Sequence, residues 1–210
     1  MAAMSEAVQI RVHRARSWLR KAGQAGKNGD LDSQFMFLWI SFNALYGTPR
    51  YQDNASTGEI ADFKAFLCVV ERLSGRRVED ALRPVEAHIA AILGSPFLNI
   101  DCWRKWDKDG VRDREARITN SCHVYRNEPR AVRTFRQLYT LRNQLLHGAA
   151  TDAGRRNRES LQHAIPILEA CLPVFIDLAS AWGDSIPALG SLPYAPSIGN
   201  SGRFNAPRVT

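Results

Sequence analysis

An all-α bundle is the fold class this sequence predicts, and three observations carry the prediction. Apolar residues recur every three to four positions in segment after segment. Residues that start or stop helices, among them Asp30, Gly47, Gly75 and Gly94, stand at the ends of those segments. No stretch reads convincingly as a strand, and the sequence shows no internal repeat. At 210 residues and 45% hydrophobic content the chain suits one packed domain and is too apolar for a disordered one. The expected architecture is an up-and-down helical bundle over residues 1–182. It carries an irregular basic insertion at 97–129 and ends in a flexible tail over 183–210.

The first helix is expected over 6–24, with Val8, Val12, Ala15, Leu19 and Ala22 on one stripe. Arg11, Arg14, Arg16 and Arg20 fall largely off that stripe, and Gly23, Gly26 and Gly29 should break the helix. Asp30 is the N-cap of a second helix that runs to Tyr46, with Gly47 as C-cap and Pro49 beyond. That helix is apolar all round from Phe35 onward, which marks a central helix surrounded by neighbours. Asn43 inside it is expected to satisfy a buried backbone group. Ile60, Phe63, Leu67, Val70 and Leu73 give a third helix ending at Gly75. Val85, Ile89, Ile92 and Leu93 give a fourth, with Pro84 in its first turn. A strong helix follows over 130–147, and a last one over 158–182 in which Pro166 and Pro173 should introduce kinks.

Net charge is +7, and between residues 103 and 158 there are 14 Lys/Arg against 6 Asp/Glu, so this region holds the whole excess. Arginine outnumbers lysine 23 to 5. Guanidinium forks bind phosphate and stack on bases, so this bias suits an RNA partner. Arg104, Lys105, Arg133, Arg136, Arg155 and Arg156 are the candidate contacts. Unbroken apolar runs such as 35–40 fall short of the roughly 20 residues that span a bilayer. No signal-peptide core follows the first residues, so no membrane is expected and the setting is expected to be cytoplasmic. Cys68, Cys102, Cys122 and Cys171 are widely spaced and are read as buried or inert thiols.

Several familiar sites fail on spacing. The stretch Gly23-Gln24-Ala25-Gly26-Lys27-Asn28 lacks the glycine spacing, the Ser/Thr and the preceding strand of a phosphate loop. Cys122 and His123 are sequence neighbours and diverge on a helix, which rules against a thiol dyad. Trp103-Arg104-Lys105-Trp106 could stack bases, although tryptophans that anchor the insertion to the bundle are the commoner outcome. No His-Glu-x-x-His or paired-carboxylate cluster is present, so neither metal nor cofactor is expected.

Arg-x4-His occurs three times, at Arg83/His88, Arg142/His147 and Arg158/His163. In the first, Pro84 follows the arginine; in the third, Glu159 puts an anion where a phosphate would approach. Only the middle copy has a neutral polar residue, Asn143, after the arginine, then apolar positions and a glycine past the histidine. With that context Arg142-Asn143-Gln144-Leu145-Leu146-His147 resembles the HEPN superfamily, whose bundles carry Arg-polar-x-x-x-His on a late helix. The run Phe37-Leu38-Trp39-Ile40-Ser41-Phe42-Asn43-Ala44-Leu45-Tyr46 is similar to the buried early helix of many such domains. The resemblance covers residues 5 to 182, except for the unmatched insertion. It implies a metal-independent endoribonuclease of toxin–antitoxin, CRISPR-linked or antiphage type, or a relative that has lost activity and only binds. It implies Arg142, Asn143 and His147 as catalytic residues and a homodimer that brings two sites together. It also implies an antitoxin or defence-complex protein as a partner.

Elementary chemistry agrees with those roles. Asn143 and His147 are four apart and share a helix face. Arg142 lies about 140° from His147 around the helix, at 100° per residue, and must reach round. RNA cleavage by its own 2′-OH needs a base, an acid and stabilisation of the phosphorane charge. Imidazole can take either proton role and guanidinium suits the charged oxygens. One histidine does not readily fill both proton roles in one step, which is a chemical reason for a symmetric dimer.

Overall fold

The computed structural model describes residues 5–47, 58–99, 127–147 and 155–186, without the side chains of 155–157. Helices α1 (Glu6–Lys27) and α2 (Leu31–Tyr46) form an antiparallel hairpin. Ser41 Oγ donates to Ala15 O at 2.8 Å, and Val8, Val12, Ala15 and Ala22 are buried as their spacing predicts. Against expectation, α1 runs straight through Gly23 and Gly26. At Gly26 the missing side chain is a packing device: a Cβ there would lie 2.6 Å from Nε2 of Gln34. The break falls at Gly29, whose φ of 72° suits glycine alone. Asp30 then caps α2 by accepting from the Ser33 backbone N–H at 3.0 Å.

Arg11 also departs from its expected place off the stripe: it is fully buried. Its guanidinium donates to Ala44 O at 3.1 Å and Gly47 O at 2.7 Å, so a cation closes the C-terminal end of α2. Burial, and then the Arg14 charge, pulls its pKa down to about 10, which leaves it protonated at neutral pH.

Helix α2 is the hub because it carries large rings on every side. Phe42 lies 4.6 Å, centroid to centroid, from both Tyr46 and Phe135, and 6.0 Å from Phe66 and Phe175. Tyr46 is on α2 itself, and the other three rings come from α3 (Glu59–Ser74), α6 (Arg130–Leu146) and α7 (Arg155–Trp182). Helix α7 is long and apolar enough, by length and composition, to cross a membrane. Its Leu161, Ile165, Leu168, Leu172 and Ile176 are instead buried in the bundle core, and the helix continues through Pro166 and Pro173.

Between α3 and α5 (Glu86–Gly94) lies a short helix, α4 (Arg77–Leu82), that periodicity did not predict. It spans six residues with Val78 alone buried, too little for a repeating signal. A 3₁₀ turn at Arg83–Val85 takes up Pro84, so α5 starts just past the proline. Helices α5 and α6 lie side by side in the same direction, a departure from simple up-and-down alternation. Arg130 pairs with Glu86, Gln137 Nε2 donates to Leu93 O at 3.3 Å, and Gln144 Nε2 donates to Phe97 O at 2.7 Å.

Both expected boundaries move. Leu98 and Asn99 are buried, and Glu128 bridges Lys64 and Arg136, so the margins of the 97–129 segment belong to the bundle. Residues 100–126 lie outside the described part. The tail boundary at 183 is too early. Ile186 is buried, and Gly183 packs so closely that a Cβ would collide with Val8 Cγ1. Asp184 accepts from the Ser5 N–H at 3.3 Å, tying this turn to the start of α1.

Candidate functional site

Helix α6 presents its last turn at the edge of the bundle. Leu138 and Leu141 pin the buried side, while Leu146 and His147 project as exposed residues. Residue 147 is the C-cap, and its backbone N–H donates to Asn143 O at 2.9 Å, which sets His147 one turn beyond Asn143. Arg142 meets its sequence neighbour: its Nη1 donates to Asn143 Oδ1 at 2.8 Å. The His147 ring makes no hydrogen bond or ion pair with Arg142 or Asn143 among the described residues. Two members of the expected triad are therefore joined, and the third stands apart.

The surroundings of Arg142 were not foreseen. Its Nη1 lies 3.5 Å from Glu59 Oε2, with both side chains about one-fifth exposed (22%), and its Cζ sits 5.7 Å from the Tyr139 ring centre. Glu59 Oε1 accepts from the Tyr46 hydroxyl at 2.7 Å. Burial, and then the Glu59 charge, pushes the Tyr46 pKa up, so Tyr46 remains a neutral donor. A polar chain Tyr46–Glu59–Arg142–Asn143 thus links α2, α3 and α6. The described polar contacts of Arg142 fall on Nη1, whereas its Nε is buried without a hydrogen-bond partner among the described residues. Tyr46 closes the apolar run, but Glu59 stands just before the third stripe and carries no periodic signal. Its sequence mark is position alone, in the first turn of a helix, where carboxylates are favoured.

The other two Arg-x4-His copies resolve differently. Arg83 pairs with Asp80 at 2.6 Å, and Arg158 with Asp32 at 3.6 Å. Their histidines meet each other, His88 Nδ1 to His163 Nδ1 at 3.0 Å.

Among the expected RNA contacts, Arg136 forks onto Glu128 at 2.6 and 2.9 Å and is mostly buried, which gives it a structural role. Burial opposes ionisation of Glu128, yet the bonds from Arg136 and Lys64 outweigh it and hold that carboxyl below its ordinary range. Arg133 is half-buried. Arg155 and Arg156 open α7 with side chains outside the described part, and Arg104 and Lys105 lie in the segment outside it. Buried Cys171 has its thiol pushed up to about 12 by desolvation, so it is inert, whereas Cys68 is exposed. No family model, no curated protein and no solved structure matches this chain.

Proposed function

We propose that this protein is a metal-independent endoribonuclease of the HEPN type, with Arg142, Asn143 and His147 as its working residues. The observation that carries the reading is the Arg142–Asn143 contact of 2.8 Å. It brings the guanidinium round toward the helix face that Asn143 shares with His147. In this reading Arg142 neutralises the scissile phosphate, Asn143 orients the guanidinium, and exposed His147 moves protons. The 2′-OH attacks phosphorus and the 5′-oxygen leaves, giving a 2′,3′-cyclic phosphate and a 5′-OH end. A homodimer supplies a second His147 for the other proton. Leu146, about half exposed, is the apolar surface offered to that partner. Defence or toxin action under control of a partner protein is the biological role that goes with such an activity.

A second reading has its own observation. Arg142 already faces Glu59 and keeps Nε inside the protein, as in a module that has lost cleavage and only binds RNA or docks on protein. Incubation of the full chain with structured and unstructured RNAs in excess EDTA separates the two. Cleavage with cyclic-phosphate ends is expected. Cleavage that returns only on adding Mg²⁺ or Mn²⁺ overturns the mechanism, and RNA binding without cleavage selects the second reading. Arg142→Ala and His147→Ala should each abolish cutting with the helical circular dichroism intact, while His88→Ala and His163→Ala should still cut.

A further inference from the structure

His88 and His163 belong to Arg-x4-His copies that the proposed ribonuclease does not use, yet the fold brings their rings together. His88 projects from α5 and His163 from α7, both half-buried, with Nδ1 atoms 3.0 Å apart. We propose that this pair chelates an imidazole-seeking divalent transition-metal ion, of the Cu²⁺, Ni²⁺ or Zn²⁺ class, and that the ion clasps α5 to α7.

Two imidazole nitrogens can approach this closely in one of two ways. Either one proton lies between them, or both rings take the Nε2–H tautomer and a cation occupies the space between two lone pairs. Metal–nitrogen bonds of about 2.0–2.1 Å to each Nδ1 at this separation enclose an angle of roughly 95°. That is the bite of neighbouring positions in a tetragonal site, the geometry favoured by Cu²⁺ and Ni²⁺. The ring centroids lie 5.2 Å apart, so the rings must swing together by roughly 0.5 Å for both lone pairs to meet one ion. Tetrahedral Zn²⁺ needs the nitrogens about 3.3 Å apart, an opening of roughly 0.3 Å.

The helices hold the ligands ready. Ile89 and Ile92 on α5, and Leu161 and Ala164 on α7, are buried beside them and fix both backbones. Half-exposure of the rings leaves room for water to complete the coordination shell. On α5 Glu86 pairs with Arg130, and on α7 Glu169 accepts from Gln34, while Glu159, one turn before His163, is exposed. No group of three or more His, Cys, Asp or Glu is placed to hold an ion among the described residues, which supply two ligands here. The parallel register of α5 and α6 places His88 level with Val132, about 22 Å along α6 from His147 at 1.5 Å per residue. The clasp is thus separate from the proposed catalytic end and can be tested without RNA.

The experiment titrates the metal-free full chain with CuCl₂ and ZnCl₂ by calorimetry and records the Cu²⁺ electron paramagnetic resonance spectrum at one equivalent. We expect one site per chain, a Cu²⁺ spectrum with two equatorial nitrogens, and a melting temperature that rises with metal. His88→Asn and His163→Asn should each weaken binding at least tenfold and abolish the rise, whereas His13→Ala and His147→Ala should leave both unchanged. Should a variant fail to fold, the wild-type spectrum still decides. Absence of a one-equivalent site, or a spectrum lacking the two-nitrogen signature, overturns the proposal and leaves a proton-sharing pair. Undiminished binding in the His88→Asn/His163→Asn double variant also overturns it.

Discussion

A single charge decides how Arg142 can be used, and that charge is on Glu59. The guanidinium has Asn143 on one side and the Glu59 carboxylate at 3.5 Å on the other, so any RNA phosphate it meets must share it with an anion. Glu59→Gln keeps an acceptor for the Tyr46 hydroxyl and removes the competing charge. For groups this exposed the gain is on the order of 0.5–1 kcal/mol, which is roughly a two- to fivefold tighter KM for RNA at low salt. Steady-state kinetics at several salt concentrations checks it, and a weaker KM would mean that Glu59 positions the arginine. Arg11 has the opposite character, since its cation is structural. Arg11→Met leaves the Ala44 and Gly47 carbonyls without their charged donor, and should cost about 2–3 kcal/mol. That is a fall of roughly 5–10 °C in Tm for a chain of this length. An unchanged melting curve would show that water replaces the guanidinium without loss. The sequence places Arg11, with the other arginines of α1, largely off the apolar stripe. One turn of rotation decides which of them meets a helix end, and periodicity does not resolve that.

At the scale of the elements, most of the helices were legible because caps and stripes agreed. Asp30 before an apolar run and Gly47 after it gave the limits of α2 as the structure has them. Gly23 and Gly26 misled because glycine carries two meanings, freedom of φ and absence of bulk. At Gly26 it is the second, set by Gln34 of the next helix. The Asp30 cap offers a test with a pH signature. Ser33, through its side chain and then its backbone N–H, holds the Asp30 carboxyl below its ordinary range. The folded state therefore binds fewer protons there than the unfolded chain in the acid range. The cap's contribution is present at neutral pH and is lost as pH falls through the depressed folded pKa. Asp30→Ala should cost about 1 kcal/mol at pH 7 and progressively less in acid. Asp30→Asn should keep most of the stability, without that pH dependence. Urea unfolding of the three proteins at pH 7 and pH 3 measures it. Equal losses for Asp30→Ala at both pH values would show that the carboxylate charge is not what caps α2.

For the molecule as a whole, the all-α class followed from patterns within segments, while the limits of the domain depend on contacts between distant ones. Nothing in Gly183-Asp184-Ser185-Ile186 is periodic, yet Ile186 is buried and Gly183 lies on Val8 at the other end of the chain. Truncation after Trp182 should therefore cost about 2–4 kcal/mol more than truncation after Ile186, the range for losing a buried aliphatic side chain. Chemical denaturation of the two products compares them, and equal stabilities would return the boundary to residue 182. The proposed site is read from residue types on a helix end, and in the proposed mechanism its completion falls to a second copy. Among the described residues one exposed imidazole, His147, stands at that end, with no described contact to Arg142, and the proposed reaction asks for two proton-transfer groups. Exposed Leu146 beside it is where a second copy would dock in that reading. If the working site forms there, the fraction of active enzyme follows the dimer population. Specific activity should then fall roughly in proportion to protein concentration once monomers dominate. Leu146→Glu should move that fall to higher concentration by placing two carboxylates in apposition, without altering the melting curve of the monomer. Initial rates over a dilution series, with light scattering over the same range, provide the measurement. Constant turnover per chain where scattering shows only monomer would rule out a shared site and require the second proton-transfer group to come from within the same chain.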